Sequence, residues 1–217
     1  MTKKLRCSAI IFDFDGTLAD SMPFLANIGI QIMMKYYDVN RDEAAERYKS
    51  TTGLSYEHQI NLNFPGYEQN EPATEEFEKL KIERIFEQQL FPDVVETLTK
   101  LNEMGISVFV SSSTYQPIIA EYFAKRELST CFTEVVGYRP GFEKGKHHFE
   151  HIKAKHGIRL GDTLFVGDSL KDYERSKDYC KFVGLEGMFK EKDFRRAGHE
   201  GPVIQQVSEL LTMIEPQ

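Results

Sequence analysis

Short apolar runs separated by helical patterns recur along this chain, and their order restricts the fold more than any other feature. Runs typical of buried strands occupy residues 9–14, 106–110, 164–166 and 181–183, with a weaker one at residues 132–136. Between them, apolar residues recur at helical spacing in residues 94–104, 117–126 and 149–156. Strands that alternate with helices are joined by right-handed crossovers and form a parallel sheet. We therefore predict an α/β fold built on a parallel sheet.

Residues 20–90 interrupt that alternation with a mostly helical pattern. Phe24, Ile28 and Ile32 recur at helical spacing, and a second helix is predicted to begin near Asn40 or Asp42. Residues 61–73 contain two prolines and several turn-forming residues, which predicts a loop before a last helix. An insertion of this size is large enough for a separate lid. We predict a core of residues 1–19 and 91–217 and a helical cap of residues 20–90.

The composition argues against several classes of function. The 217-residue chain has a formal net charge of -7, which disfavours nucleic acids and anionic membranes as main partners because both attract basic surfaces. No apolar run approaches the roughly 18 residues that span a bilayer. The run that follows Lys3, Lys4 and Arg6 is broken by Asp13 and Asp15, so it does not fit a secretory signal. Three scattered cysteines fit a reducing compartment, and we expect a cytoplasmic protein.

An acidic pair, Asp13 and Asp15, stands at the end of the first apolar run. Residues two apart lie on the same side of an extended chain, so both carboxylates would meet at the carboxyl end of a buried strand. Open α/β sheets bind ligands at those ends. Adjacent carboxylates repel unless a proton or a cation separates them, and Mg²⁺ prefers carboxylate and phosphate oxygens. The pair therefore indicates a magnesium site, with capping of the next helix as the alternative.

Two further polar blocks follow predicted strands. Ser111 and Ser112 come after the second strand, where hydroxyls and backbone N–H groups can bind phosphate. Taken alone, this block is better explained as the cap of the next helix. Asp168 and Asp172 follow the run at residues 164–166 and would lie on one face of a helix start. Four carboxylates at one sheet edge would repel strongly without a cation, which favours the metal interpretation.

A positive charge for this edge is available from Lys144 or Lys146, which precede the helical pattern at residues 149–156. A lysine there could neutralise both a reacting carboxylate and an incoming phosphate, or it could belong to a solvated loop. We prefer Lys144 over Lys146. Three nearby histidines lack the cysteine or acid spacing of a metal site, so they are predicted to lie at the surface. They are His147, His148 and His151.

The four blocks, in this order, resemble those of the haloacid dehalogenase superfamily of phosphatases. The similarity covers nearly the whole chain, and residues 91–98 and the pair Asp20-Ser21 also look typical of the family. The resemblance is to the subgroup that contains phosphoglycolate phosphatase and beta-phosphoglucomutase. It implies a core sheet with strand order 5-4-1-2-3 and a helical cap inserted after the first strand.

The resemblance also implies chemical roles. Asp13 would attack phosphorus and form an aspartyl-phosphate, while Asp15 would protonate the leaving oxygen and then activate water. Mg²⁺ would be bound by the Asp13 carboxylate, the Asp15 backbone carbonyl and Asp168, with Asp172 in support. Catalytic contacts to the phosphate are expected from Ser111 and Lys144. Further substrate-binding residues are expected in the core and in the cap: Gly16, Thr17, Ser112 and Lys146, and Thr52 and Gly53.

The residue at position 15 narrows the expected substrates. Family members with other chemistries lack an aspartate there, so Asp15 favours phosphate monoesters or phosphomutase chemistry, in which the leaving oxygen needs an acid. The expected partner is a small phosphorylated metabolite, with no nucleic acid and no membrane, and the chain would be a monomer or homodimer. Residues 51–55 resemble the cap segment that faces the active site in phosphoglycolate phosphatase-like members, or they form an ordinary turn. A phosphomutase and a non-catalytic binding protein remain as alternatives, although four intact aspartates weigh against the latter.

Overall fold

The computed structural model describes residues 4–216, which divide into two compact units. One contains the chain up to Ala19 and from Leu90 onward, and the other is Asp20–Gln89. In chain order the elements are β1 (Leu5–Cys7), β2 (Ala9–Phe12), α1 (Met22–Tyr36), α2 (Arg41–Thr51), α3 (Tyr56–Asn63), α4 (Asn70–Arg84), α5 (Val94–Glu103), β3 (Ser107–Tyr115), α6 (Gln116–Ala124), β4 (Glu134–Tyr138), α7 (Lys146–His156), β5 (Thr163–Gly167), α8 (Leu170–Ser176), β6 (Lys181–Leu185), α9 (Glu191–Arg196), β7 (Val203–Ile204), α10 (Leu210–Met213) and β8 (Ile214–Pro216).

The first unit is built on a six-stranded sheet with the order β4-β3-β2-β5-β6-β7, in which all neighbours are parallel. If β2, β3, β4, β5 and β6 are numbered 1 to 5 in chain order, the sheet reads 5-4-1-2-3 from β6 to β4. The predicted strand order is therefore confirmed. The short edge strand β7 was not predicted. Separately, β1 and β8 pair in parallel. The α/β architecture follows from strands such as β2, whose four residues are all buried, as expected when helices cover both faces.

The register of the strands places the ends of β2, β3 and β5 side by side in the sheet. Phe12 pairs with Val110 on one side and with Val166 on the other. The next residues along the three strands are therefore Asp13, Ser111 and Gly167. The apolar residues below them, including Ile11, Phe109, Phe149 and Phe165, form one continuous buried cluster. This cluster fixes the heights of the strand ends, so it also fixes the positions of the polar residues that follow.

Strand β3 is longer than predicted. It continues through the serines to Tyr115, with an irregularity in its pairing to β4 between Ser111 and Tyr115. Helix α6 begins only at Gln116, and the residue before it makes no side-chain cap hydrogen bond. The serine block therefore belongs to a strand end, and the helix-capping explanation is wrong.

The second unit consists of the helices α1–α4. Asn40 caps α2 by accepting the Glu43 N–H at 3.0 Å, which confirms one of the two predicted starts. The predicted loop at residues 61–73 is wrong, because α3 extends to Asn63 and α4 already begins at Asn70. Pro72 lies in the first turn of α4, where its missing N–H breaks no helical hydrogen bond. Within residues 4–216, no helix combines the length and the apolarity needed to cross a bilayer.

Candidate active site

The turn after β2 holds the two aspartates of the first block. Gly16 adopts a φ of 80°, and its N–H donates to the Ala19 carbonyl at 2.9 Å. The Ala19 N–H in turn donates to the Phe14 carbonyl at 3.0 Å. The Phe14 ring packs edge-on against Tyr122 at 4.8 Å between ring centroids, with both rings fully buried. A positive φ is accessible to glycine at little cost, so Gly16 serves the shape of this turn.

Lys144 lies against two of the acids. Its Nζ is 2.6 Å from Asp13 Oδ1 and 2.5 Å from Asp172 Oδ1, and its side chain is only 5% exposed. Burial lowers the pKa of Lys144, but the charges of Asp13 and Asp172 outweigh that effect and raise it. The ammonium therefore stays charged and supplies the cation that the acids require.

Lys146 lies in a different environment. It is the first residue of α7, its side chain is 65% exposed, and its Nζ is 3.9 Å from Glu150. Gly145 between the two lysines has φ 107° and ψ -129°, a conformation essentially restricted to glycine. Its side-chain position faces the aliphatic carbons of Arg175 at 3.4 Å. The structure thus brings Lys144 to the acids and leaves Lys146 in solvent, where the expected substrate contact has no support.

Three buried aspartates form the candidate metal site. Asp13, Asp168 and Asp172 each offer one oxygen within 4.8 Å of the others. Burial, opposed by Lys144 and reinforced by Asp172, raises the pKa of Asp13 to about 7. Burial and the charge of Asp13 raise the pKa of Asp168 well above its usual value. Asp168 Oδ2 has no hydrogen-bond partner among residues 4–216. A buried carboxylate oxygen without a hydrogen-bond partner, in a group of ligands that are all oxygens, fits a hard dication such as Mg²⁺.

Asp172 also takes part in the N-terminal cap of α8. Ser169 donates to its Oδ2 through the hydroxyl at 2.7 Å, and the Asp172 N–H donates to Ser169 Oγ at 3.1 Å. Oδ1 of the same carboxylate contacts Lys144, so the two functions use different oxygens. A Cβ on Gly167 would lie 2.7 Å from this side chain, which explains the glycine at the end of β5.

The Asp15 side chain lies outside the acidic triad. Its Oδ2 accepts a hydrogen bond from Thr114 Oγ1 at 2.9 Å. The metal contact expected of Asp15 involves its backbone carbonyl, and that expectation stays a prediction. Thr114 was not among the predicted site residues. Its partner is 99 residues away in the chain, and a contact of that kind has no local sequence signal.

A histidine predicted to lie at the surface is fully buried. His148 Nδ1 is 2.9 Å from Ser111 Oγ, while its Nε2 has no partner within residues 4–216. Burial, with help from the Lys144 charge, lowers the pKa of His148 to about 3, so the ring is neutral. The surface assignment is wrong because His148 shares the buried face of α7 with Phe149 and Ile152. The four-residue spacing to Ile152 was the available signal.

The remaining predicted contacts have varied surroundings. Ser112 is buried, and its Oγ accepts the Thr114 N–H at 3.0 Å. Thr17 is also buried, and its Oγ1 has no partner among the described residues. It lines a cavity of about 270 Å³ together with residues that include Phe91, Glu186 and Gln205, and none of the four aspartates lines that cavity.

The two residues predicted from the cap lie in the turn between α2 and α3. Thr52 is buried, and its hydroxyl donates to the Tyr48 carbonyl at 2.9 Å. Gly53 has a φ of 94°, which that turn requires. The proton of the Thr52 hydroxyl is thus already used within the cap, so this side chain could contribute to a substrate only as an acceptor. Their expected substrate contacts stay predictions.

Comparison with known proteins agrees with this geometry. A family model described as haloacid dehalogenase-like hydrolase matches residues 10–183. A phosphoglycolate phosphatase of Yersinia pestis is 27% identical over 225 aligned positions, covering 99% of this chain and 96% of that protein. A phosphoglycolate phosphatase of Aliivibrio fischeri is 25% identical over 178 aligned positions, covering 77% of this chain and 78% of that protein.

Solved structures show the same fold. A haloacid dehalogenase-like hydrolase from Streptococcus pneumoniae has a TM-score of 0.79 at 18% identity, covering 95% of this chain and 97% of that chain. A hydrolase from Pseudomonas syringae has a TM-score of 0.79 at 19% identity, covering 95% of this chain and 96% of that chain.

Proposed function

Because the chain belongs to the haloacid dehalogenase-like hydrolase family, we propose that it is a Mg²⁺-dependent phosphatase of small phosphate monoesters with Asp13 as its nucleophile. The observation that carries this proposal is the buried ion-pair network in which Lys144 contacts Asp13 and Asp172 beside Asp168. Buried charges of this density are costly to stability, and perturbed acids of this kind concentrate at functional sites.

The residues support a two-step transfer. In the first step an Asp13 carboxylate oxygen attacks phosphorus, the bond from phosphorus to the leaving oxygen breaks, and Asp15 gives that oxygen its proton. In the second step Asp15 takes a proton from water, the water oxygen attacks phosphorus, and the Asp13–phosphate bond breaks. Inorganic phosphate leaves, and both carboxyl groups return to their starting states. This sequence explains why two acids are needed at positions 13 and 15.

Lys144 supports the ionised form of Asp13 that the attack requires. Asp13 must be ionised to act as a nucleophile, and Lys144 at 2.6 Å opposes the burial that raises its pKa. When bound, Mg²⁺ would neutralise charge on the phosphoryl oxygens. Asp13, Asp168 and the Asp15 backbone carbonyl would hold it, with Asp172 in support. Ser111, Ser112 and Lys144 remain the proposed contacts to phosphate.

The substrate class is supported by the relatives. Both curated relatives described above are phosphoglycolate phosphatases, which favours hydrolysis of a phosphoglycolate-like ester over phosphomutase chemistry. All three cysteines are free, which agrees with the expected reducing compartment, and a cytoplasmic location remains part of the proposal.

A screen of phosphorylated metabolites with and without Mg²⁺ tests the proposal. We expect phosphate release from phosphoglycolate or a related small monoester, dependent on Mg²⁺ and abolished in Asp13→Asn. Turnover that requires an added bisphosphate would instead support the phosphomutase. Unchanged release by Asp13→Asn would refute the role of Asp13, and no release from any monoester would refute the phosphatase function.

A further inference from the structure

The proposed acid–base group, Asp15, is held by a residue from another strand. Thr114 Oγ1 donates to Asp15 Oδ2 at 2.9 Å, and the Thr114 residue is only 3% exposed. The Thr114 hydroxyl is the donor of this bond, so Asp15 Oδ2 is occupied as an acceptor. The contact links the turn after β2 to the end of β3, two segments whose side chains must be aligned for any chemistry between them.

The backbone of Thr114 is held in place by contacts of the residues before and after it. Its N–H donates to Ser112 Oγ at 3.0 Å, within the irregular end of β3. The next residue, Tyr115, resumes the pairing with β4 opposite Tyr138, and the two rings pack edge-on at 5.2 Å between centroids. The hydroxyl therefore projects from an anchored strand end. An anchored donor restricts the rotation of the carboxyl group that accepts from it.

We propose that Thr114 is a positioning residue that makes Asp15 Oδ1 the oxygen that exchanges protons with the substrate. Since Oδ2 accepts from Thr114, a proton on the Asp15 carboxyl resides on Oδ1. That proton passes to the leaving oxygen as the bond to phosphorus breaks, and Oδ1 later takes one from the attacking water. Thr114 keeps its own proton throughout. The inference rests on the proposed function, because it assigns an orientation to the acid in that reaction.

The substitution Thr114→Val removes the hydroxyl at nearly constant shape, and Thr114→Ser retains it. The sharpest readout is the ratio of kcat/KM for two substrates, phosphoglycolate and p-nitrophenyl phosphate, because kcat/KM reports formation of the aspartyl-phosphate and not its hydrolysis, a step common to both substrates. Alkoxide leaving groups need protonation, whereas p-nitrophenolate leaves readily without it. A misplaced acid should therefore lower kcat/KM for the alkyl ester selectively, by about 10- to 100-fold.

Thr99→Val is the matched control. Thr99 is exposed on α5, and its hydroxyl donates to the Val95 carbonyl within the helix. We expect the substrate ratio of wild type from Thr99→Val and Thr114→Ser, and a ratio changed about tenfold or more in Thr114→Val. Circular dichroism and thermal unfolding would show that the compared variants are folded.

Equal losses on both substrates in Thr114→Val would assign Thr114 a purely structural role and overturn the inference, as would no loss on either. A Thr114→Ser variant as impaired as Thr114→Val would overturn it as well. Failure of the proposed function looks different: wild type would hydrolyse neither ester, or Asp13→Asn would hydrolyse both. Either of those results removes the basis of the inference together with the proposed function.

Discussion

Lys144 is buried against the acids, whereas Lys146, two positions later, is exposed. Substitution of each lysine therefore tests the assignment of Lys144 to the site. Replacing Lys144 by Met leaves Asp13 and Asp172 without their contacts at 2.6 and 2.5 Å. Loss of one group that stabilises transferring charge typically costs about a hundredfold or more in kcat. We expect at least that loss in Lys144→Met and less than about a twofold change in Lys146→Met. Steady-state phosphate release measures both, and equal losses would contradict the assignment.

His148 gives stability a specific dependence on pH. Its folded pKa of about 3 lies below the unfolded value of 6.5, so the unfolded chain binds more protons between those limits. Above about pH 6.5 the ring is neutral in both states, so His148 does not make the free energy of unfolding depend on pH. As the pH falls from 6.5 towards 3, the unfolded chain takes up the proton and the free energy of unfolding decreases. From about pH 7 to about pH 5, this residue alone should remove about 2 kcal/mol from the free energy of unfolding.

Comparison of variants isolates this contribution from that of other acid-sensitive groups. Urea unfolding of His148→Asn should show an acid-induced loss smaller than that of wild type by this amount. His147→Asn should behave as wild type, since His147 is exposed and accepts only the Glu143 N–H at 3.1 Å among the described contacts. The same acid-induced loss in wild type and His148→Asn would contradict the account.

Single residues differ in how far the sequence reveals them. The four aspartates were identified because they form two pairs that lie at or within a few residues of the end of an apolar run, so local order was enough. The burial of His148 was missed although its helical spacing to Ile152 is a local signal. Its contact with Ser111 and the contact of Thr114 with Asp15 join residues 37 and 99 positions apart. Contacts between distant segments depend on strand register, and no local pattern reports a register.

At the scale of elements, the entry into α7 positions Lys144. A Cβ at Gly145 would be strained at φ 107°, a cost of about 1–3 kcal/mol. The strain can be relieved only by moving the segment that carries Lys144. We expect Gly145→Ala to lower the free energy of unfolding by about this amount and kcat by about tenfold or more.

The same helix supplies the control. Gly157 ends α7 with φ 68°, and nothing lies within 4 Å of the position of its missing Cβ. Gly157→Ala should cost about 1–2 kcal/mol of stability and leave kcat unchanged. Urea unfolding and phosphate release measured on both variants separate the two effects. An active site unaffected by Gly145→Ala would show that this turn does not set the lysine position.

Elements were predictable where apolar residues were continuous. The five strands of the predicted order each have a short buried run, and β2 is buried throughout. The wrong loop at residues 61–73 was predicted from two prolines and several turn-forming residues, although Pro72 is compatible with a helix because it lies in the first turn of α4. Strand β7 has two residues, too few for any periodicity.

At the scale of the whole molecule, the crowded acids should link stability to Mg²⁺. Asp13, Asp168 and Asp172 are buried close together, and Lys144 contacts Asp13 and Asp172. Without metal, replacing Asp168 by Asn removes a carboxyl group whose ionisation is opposed by burial and by the charge of Asp13, so it should raise stability by about 1 kcal/mol or more. Mg²⁺ should stabilise wild type through preferential binding to the folded state, and stabilise Asp168→Asn much less.

Thermal unfolding with and without Mg²⁺ measures these effects. Asp178→Asn provides a control for loss of a negative charge, since Asp178 is exposed and lies outside the acidic triad. It should retain the metal-dependent shift of wild type. A metal-free Asp168→Asn variant less stable than wild type would contradict the account of repulsion. An undiminished Mg²⁺ shift in that variant would place the metal elsewhere.

The sheet order explains why one chain can assemble this site from distant blocks. The strands β3, β2 and β5 are neighbours, so the polar residues that follow them meet at one edge. This much of the site followed from the alternation of strands and helices together with the family resemblance. The hydrogen bonds that orient its side chains followed from neither.

The central claim is that Asp13 carries the phosphoryl group. The most direct measurement is a single-turnover reaction with phosphoglycolate, quenched in acid, reduced with borohydride and mapped by mass spectrometry. Borohydride converts an aspartyl-phosphate into homoserine, so the account predicts homoserine at position 13 in wild type. A turnover that releases phosphate with no such conversion, or with conversion at another aspartate, would contradict it.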